Sequence, residues 1–214
     1  MRLLLLLPLL FCLALAPAQA AENPSWTGNP ELDLAFAHNN AARYTEAFAL
    51  FSKLHGQGVP MAGTMVGRYY EDGRAVAKDR EKALALYSEA KDKNEALGVY
   101  HYARITSGNL ENLTGRQLER LVAVLTAEAE KGNVPVQTTL GATFIFLSGA
   151  GPERSLWTPP EARRLAREWM LKAAEAGYAP AQSNMSIFGG EDARGWVEKA
   201  AASGYPPAVK ALGR

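Results

Sequence analysis

Lys172–Ala181 reads KAAEAGYAPA and Lys199–Ala208 reads KAAASGYPPA, so this chain of 214 residues contains nearly the same ten letters twice. An active site needs one convergent set of residues, whereas a stack of similar units needs the same packing residues in every unit. The repeated decapeptide therefore predicts a repeat protein.

The decapeptide is the end of a longer pattern. A first residue, usually Ala, is followed at plus three, plus four and plus seven by apolar residues and at plus eleven by Gly. Copies begin at Ala47, Ala83, Ala166 and Ala193, with a weaker copy at Leu121. Side chains at this spacing form one stripe of an amphipathic helix that must be buried. Gly at plus eleven, or Asn94 in the second copy, then ends the helix in the left-handed conformation.

Start signals indicate further helices around the stripes. Thr114 and Gln117 have the spacing of a capping box, and Pro159 follows Thr158 as the first helical residue of another. The stretch 62–72, between the first two stripes, forms the other helix of a pair. We therefore expect an all-α chain with about eleven helices.

Residues 1–20, MRLLLLLPLLFCLALAPAQA, have the features of a secretory signal peptide with cleavage after Ala20. A membrane anchor needs about 20 apolar residues. The apolar run here is shorter, and Pro8 interrupts it. We expect a periplasmic or secreted protein that is not inserted in the membrane after cleavage.

Cleavage also decides the composition of the mature chain. It removes Cys12, the only cysteine, so no disulfide holds the fold. Basic and acidic residues then balance at 22 each, which gives no electrostatic reason to expect nucleic acid or an anionic membrane as partner. We predict a flexible segment at 21–29 and a single domain of about five helix pairs at 30–214.

The stretch Ala62–Tyr87 carries a family motif: A62, V66-G67, Y70, G73-R-A-V76, D79, K82-A83 and L86-Y87. It resembles the Sel-one-like repeat, a tetratricopeptide-like family, and departs from that pattern at Ala75, where Gly is usual, and at Leu86, where Trp is usual. The resemblance covers roughly 30–213. It implies an all-α, right-handed superhelical solenoid of helix-turn-helix repeats, with Gly67 at the closest approach of two helices.

The resemblance also implies a binding face. In such arrays the first helix of each unit lines the concave side, and the contact positions lie around the Leu-Gly pair of the motif. Transferred to this chain, they are Phe36, Asn39, Asn40, Thr64, Arg68, Glu71, Asp72, Tyr100, Arg104, Ile145 and Phe146. A mixture of aromatic, amide and charged residues suits a protein partner. The alternative is that Phe36 and Phe146 only fill the space between helices.

Motifs for catalysis or metal binding are missing from the mature sequence. It contains no Cys, no G-x-S-x-G and no H-E-x-x-H, and His38, His55 and His101 fall in different helices without a shared motif. We therefore expect no cofactor, no metal site and no enzymatic activity.

Trp157 lies outside the periodic stripes, in an extra loop at 149–160. Two interpretations remain open. Exposed Trp is enriched among interface anchors, but an apolar residue before the N-cap Thr158 also packs back on its helix as a hydrophobic staple.

The family resemblance suggests three classes of function. The first is a non-catalytic periplasmic binding protein, most specifically an immunity protein that neutralises a secreted antibacterial lipase or phospholipase effector of type VI secretion. The second is a scaffold or adaptor of the cell envelope. The third, a cell-wall or beta-lactam hydrolase, is known from relatives that have a Cys pair in each repeat, and this mature chain has none.

Overall fold

A computed structural model describes residues 25–151 and 156–213. The predicted signal peptide at 1–20 lies outside them. Within the described ranges the chain forms eleven α-helices, two short 3-10 turns at Leu110–Asn112 and Met185–Phe188, and no strand. The helices are α1 (Pro30–Asn40), α2 (Tyr44–Gly56), α3 (Pro60–Asp72), α4 (Arg80–Asp92), α5 (Ala96–Ser107), α6 (Gly115–Ala129), α7 (Val134–Ser148), α8 (Pro159–Glu175), α9 (Ala179–Asn184), α10 (Ala193–Ala202) and α11 (Pro206–Ala211).

Consecutive helices pack as pairs, α1 with α2 through α9 with α10, and α11 follows the fifth pair. The predicted all-α fold of helix pairs is therefore confirmed. None of the helices in the described ranges is long and apolar enough to cross a membrane.

The predicted helix stops are confirmed by the backbone. The residue at plus eleven has a positive φ in all five copies: Gly58, Asn94, Gly132, Gly177 and Gly204. After α8, the amide of Gly177 bonds the Ala174 carbonyl at 3.0 Å and that of Tyr178 bonds the Ala173 carbonyl at 3.1 Å. This pair of bonds satisfies carbonyls that the helix end leaves free.

The stripes of the second helices form the core. The residue at plus four is fully buried in each of the first four copies: Phe51, Tyr87, Leu125 and Met170. Burial of such side chains supplies most of the folding free energy, at roughly 1.5 to 3 kcal/mol for each large apolar residue.

Small residues let neighbouring helices approach each other. Within a pair, a Cβ placed on Gly67 would lie 2.8 Å from the buried Tyr87 ring, and one on Gly141 would lie 3.1 Å from Met170. Between pairs, a Cβ on Gly98 of α5 would lie 2.5 Å from Ala90 Cβ of α4. The close approach predicted at Gly67 thus recurs within the α7–α8 pair, and a similar one joins α5 to the preceding pair.

Gly98→Ala should lower the free energy of unfolding by about 1 to 3 kcal/mol, because the new methyl group would overlap Ala90 and backbone atoms that cannot move independently. Gly195→Ala is the matched control: this α10 glycine has no atom within 4 Å of a Cβ position. The control should be stabilised by up to about 1 kcal/mol through helix propensity. Urea denaturation measures both, and equal effects would contradict the packing.

Ala75 lies where the family pattern has Gly, and its φ is 57°. An L-residue with a side chain pays roughly 1 to 2 kcal/mol in this left-handed region. The departure of the sequence from the family pattern is therefore a point of local strain in the exposed turn between α3 and α4.

Ala75→Gly should raise the free energy of unfolding by about 0.5 to 1 kcal/mol, since relief of the left-handed strain exceeds the added backbone entropy of the unfolded chain. Ala85→Gly, on the exposed face of α4, should have the opposite sign at a similar size. Denaturation curves for both variants check the signs.

The segment before α1, for which the sequence predicts a flexible stretch at 21–29, contacts the fourth and fifth units. In its described part, Trp26 Nε1 donates to the Ala176 carbonyl at 2.9 Å, and the Trp26 carbonyl accepts from Val134 N at 2.8 Å. The Trp26 ring also meets Tyr178 edge-to-face at 5.2 Å. The segment is held because the array curls until its fifth unit reaches α1, which the local sequence did not reveal.

Candidate binding cavity on the concave face

The curl of the array encloses a cavity of about 310 Å³ between the first helices of the units. The N-terminal and C-terminal units both contribute walls. These two units meet at the turn after α1, where Gly204 approaches Ala41. The lining residues are Phe36, Asn39, Asn40, Tyr44, Met65, Arg68, Arg74, Leu97, His101, Pro135, Thr138, Thr139, Tyr178, Pro180, Tyr205, Pro206 and Pro207. A helix is about 10 to 12 Å wide, so the cavity suits a side chain or a small molecule.

Arg68 of α3 is the central charge of the cavity. Among the described residues its guanidinium forms no ion pair, and its one hydrogen-bond contact is the Met65 sulfur, 4.0 Å from Nη1. Beyond the effects of burial and of its own hydrogen bonds, Glu71 is near enough for the charge of Arg68 to lower its pKa by a smaller contribution. Burial raises the pKa values of Tyr178 and Tyr205, and the positive charge of Arg68 partly opposes this rise. The charge of Arg68 thus acts on residues of other units. Arg68 therefore faces space shared by the second, fifth and last units.

The nearby acids are already paired. Glu71 accepts from Arg104 Nη2 at 2.6 Å and from the Tyr87 hydroxyl at 2.7 Å. Asp72 lies 3.3 Å from Arg74. Because each pair is neutral, Arg68 leaves the cavity with one positive charge.

His101 closes the floor beside these pairs. Its ring stacks on Tyr87 with centroids 5.1 Å apart. Burial, with the charges of Arg68 and Arg104, holds the pKa of His101 well below its ordinary value. The imidazole is therefore neutral near pH 7 and adds no charge to the cavity.

The Glu71 carboxylate is a pH-dependent support of this floor. Burial acts to raise its pKa, but the hydrogen bonds from Arg104 and Tyr87 outweigh burial and lower the pKa from its ordinary 4.5. The pair thus stabilises the fold fully above the unfolded-state pKa, and this stability is lost as the pH falls through the lower folded-state pKa.

Glu71→Gln should destabilise the protein at pH 7, and the difference from the unchanged protein should be smaller at pH 4, because the stabilisation is lost as the pH falls from the ordinary pKa of 4.5 through the lower folded-state pKa. Glu46→Gln, exposed on α2 and without an ion pair in the described structure, is the control. Denaturation at both pH values measures the difference, and a constant gap would contradict the role of Glu71.

The amides of α1 form another wall. Asn39 accepts from the Tyr69 hydroxyl at 3.1 Å and donates to Asn40 Oδ1 at 3.3 Å. Asn40 is 5% exposed. Its Nδ2 lies beside the Tyr178 hydroxyl but meets the geometry of no hydrogen bond in the described structure. A small rotation of either side chain would complete this hydrogen bond, so Asn40 is part of the packed wall rather than a free donor in the cavity.

The structure divides the predicted binding residues into two groups. Phe36, Asn39, Asn40 and Arg68 line the cavity. Phe36 is also 2% exposed and packs on Phe51, so the alternative of space filling applies to most of its surface.

The remaining predicted residues serve other contacts. Thr64 is fully buried and donates to Glu95 at 2.5 Å. Tyr100 packs edge-on against His101 at 5.1 Å, so it belongs to the core rather than to a free surface. Ile145 and Phe146 are half-buried against the main core and lie outside the cavity lining. Glu71, Asp72 and Arg104 form the ion pairs described above.

Among the lining residues that sequence reasoning missed, five lie in the repeated decapeptides: Tyr178, Pro180, Tyr205, Pro206 and Pro207. The sequence position of the two tyrosines was a signal that could have found them. The residue after the left-handed position is the N-cap of the next first helix, and Glu95 and Asn133 cap their helices from it. Tyr178 and Tyr205 occupy the same place without a side-chain cap bond, because their side chains line the cavity instead.

Trp157 meets Phe144 edge-to-face at 5.3 Å, and Thr158 N donates to Glu161 at 2.9 Å. This contact packs Trp157 against α7 and the core, and it is not the staple contact to the first turn of its own helix α8. In the described ranges, His38, His55 and His101 lie on α1, α2 and α5 and join no group of three metal-ligating residues.

No protein-family model and no curated protein matches the sequence. Several solved structures are similar. A protective antigen of uropathogenic Escherichia coli with an SLR fold is 28% identical over 74% of this chain and 33% of its own, with a TM-score of 0.45. A Sel1 repeat protein from Oxalobacter formigenes is 20% identical over 78% and 66%, with a TM-score of 0.49.

An immunity protein from Pseudomonas aeruginosa is 24% identical over 84% of this chain and 68% of its own, with a TM-score of 0.46. The chain spans about a third of the length of the first of these proteins and about two thirds of the other two. In its Ala62–Tyr87 motif and its helix pairs, the chain is similar to Sel-one-like repeat proteins.

Proposed function

We propose that this chain is a non-catalytic, protein-binding repeat protein that is exported by residues 1–20 and holds a partner protein at its concave face. The observation that carries the proposal is the cavity with the unpaired Arg68. Around it, Tyr44, Arg74 and Tyr205 are at least partly exposed. Tyr and Arg are the residue types that concentrate binding energy at interface centres.

The size of the cavity defines how the partner would bind. A volume of about 310 Å³ admits one inserted side chain, with the rest of the partner lying on the exposed rim. Arg74 extends this rim by lying over the Tyr44 ring at 5.3 Å. An anchor residue in a pocket, surrounded by a rim that excludes water, is the arrangement of an interface hot spot.

The more specific proposal is that the partner is a toxic effector and this chain its immunity protein, with a secreted antibacterial lipase or phospholipase as the best candidate. The family resemblance and the sequence features of an exported protein support it. A cell-envelope scaffold would use the same cavity for a resident partner and is the alternative outcome of the test.

The mature chain from residue 21 should retain one secreted protein from a periplasmic extract supplemented with the products of neighbouring genes. Arg68→Glu should weaken that complex by about 1 to 4 kcal/mol, the range of interface hot spots. Arg167→Glu, exposed on α8 and outside the cavity lining, is the control and should bind normally. Surface-immobilised binding kinetics measure all three.

A growth assay separates the two roles. Periplasmic expression of the captured protein should stop growth unless this chain is co-expressed, and Arg68→Glu should abolish the protection. A captured protein that is not toxic would favour the scaffold. Retention of no protein, together with hydrolysis of a cell-wall or beta-lactam substrate by the pure chain, would overturn the binding proposal.

A further inference from the structure

The chemistry of the cavity walls restricts what can enter. The main donor is the Arg68 guanidinium, which has no hydrogen-bonded oxygen within the part of the chain that the structure describes. Burial raises the pKa values of Tyr178 and Tyr205, so both hydroxyls stay protonated at neutral pH. A guest with acceptor oxygens fits such walls better than a guest that brings its own donors.

The charge of the cavity restricts the guest further. Arg104 and Arg74 are neutralised by Glu71 and Asp72, whereas Arg68 has no counterion among the described residues. A partly buried cation without a partner is stabilised by an anion. The guest that complements these walls is therefore negatively charged.

The remaining walls select the shape of the guest. Phe36, Tyr178 and the prolines Pro135, Pro180 and Pro206 surround the donors with flat apolar surface. These rings favour a planar or short apolar group next to the anion. A carboxylate is planar and accepts two hydrogen bonds from a guanidinium side by side, so it matches both the walls and the one free charge.

We propose that the cavity at Arg68 is a carboxylate-binding site, in which the guanidinium of Arg68 binds the two oxygens side by side and the aromatic and proline walls hold the attached group. The carboxylate comes either from the partner protein, as an inserted acidic side chain or chain end, or from a small free acid. The first source rests on the proposed function, and the second does not.

The test uses the full mature chain and two isosteric probes. Benzoate should raise the melting temperature in a concentration-dependent manner, and benzamide, which has the same shape without the charge, should not. Arg68→Gln should weaken benzoate binding by about tenfold or more, since a hydrogen bond to a charged group is lost. Arg167→Gln should bind benzoate as the unchanged chain does.

Peptide probes distinguish the sources. Short peptides with a free C-terminus are compared with amidated ones, and peptides with an internal Glu are compared with their Gln counterparts. If benzoate binds and none of the peptides does, the natural guest is a free acid. If a peptide with a free carboxylate binds more tightly than its amidated or Gln counterpart, the guest is a group inserted by a partner protein.

Equal effects of benzoate and benzamide on the unchanged chain would overturn the proposal, and this comparison does not depend on any variant folding. Capture of a protein partner that is insensitive to Arg68→Gln, with no benzoate effect, would leave protein binding intact and remove the carboxylate site. Benzoate binding that depends on Arg68, with no protein partner captured, would support the carboxylate site and overturn the proposed protein binding.

Discussion

The structure depends on one backbone constraint, a left-handed residue eleven positions after the start of each second-helix stripe. Gly58, Asn94, Gly132, Gly177 and Gly204 all adopt it. The constraint ends the second helix and places the following residue at the start of the next first helix. The turn therefore joins each pair to the next one in the array.

Because the array curls, its first helices surround the cavity. The first helices face inward, and the fifth unit reaches the N-terminal segment through Trp26 and Tyr178. Glu71 and Arg104 form an ion pair beside the cavity, whereas Arg68 forms none with the described residues. This difference separates the groups that support the floor from the one available to a ligand.

The two last turns show how one sequence position changes its role along the array. Glu95 and Asn133 use the N-cap position to satisfy helix amides. Tyr178 and Tyr205 leave those amides uncapped and line the cavity. Loss of a side-chain cap costs about 1 kcal/mol. The two tyrosines therefore lower the stability of their helices at the site where binding is proposed.

Local sequence was sufficient for the helix pairs, their capped starts and their left-handed ends, because the stripe spacing and the Gly at plus eleven act within one unit. Arg68 was predicted as a contact residue from the family resemblance, and it lies in the cavity lining. Local sequence did not show that Thr64 is buried against Glu95 or that Tyr100 packs on His101, since those contacts join different units. Only the tertiary structure decided how far the array curls, and therefore that Tyr178 and Tyr205 enclose Arg68: curvature is the sum of small rotations between units, which no single unit encodes.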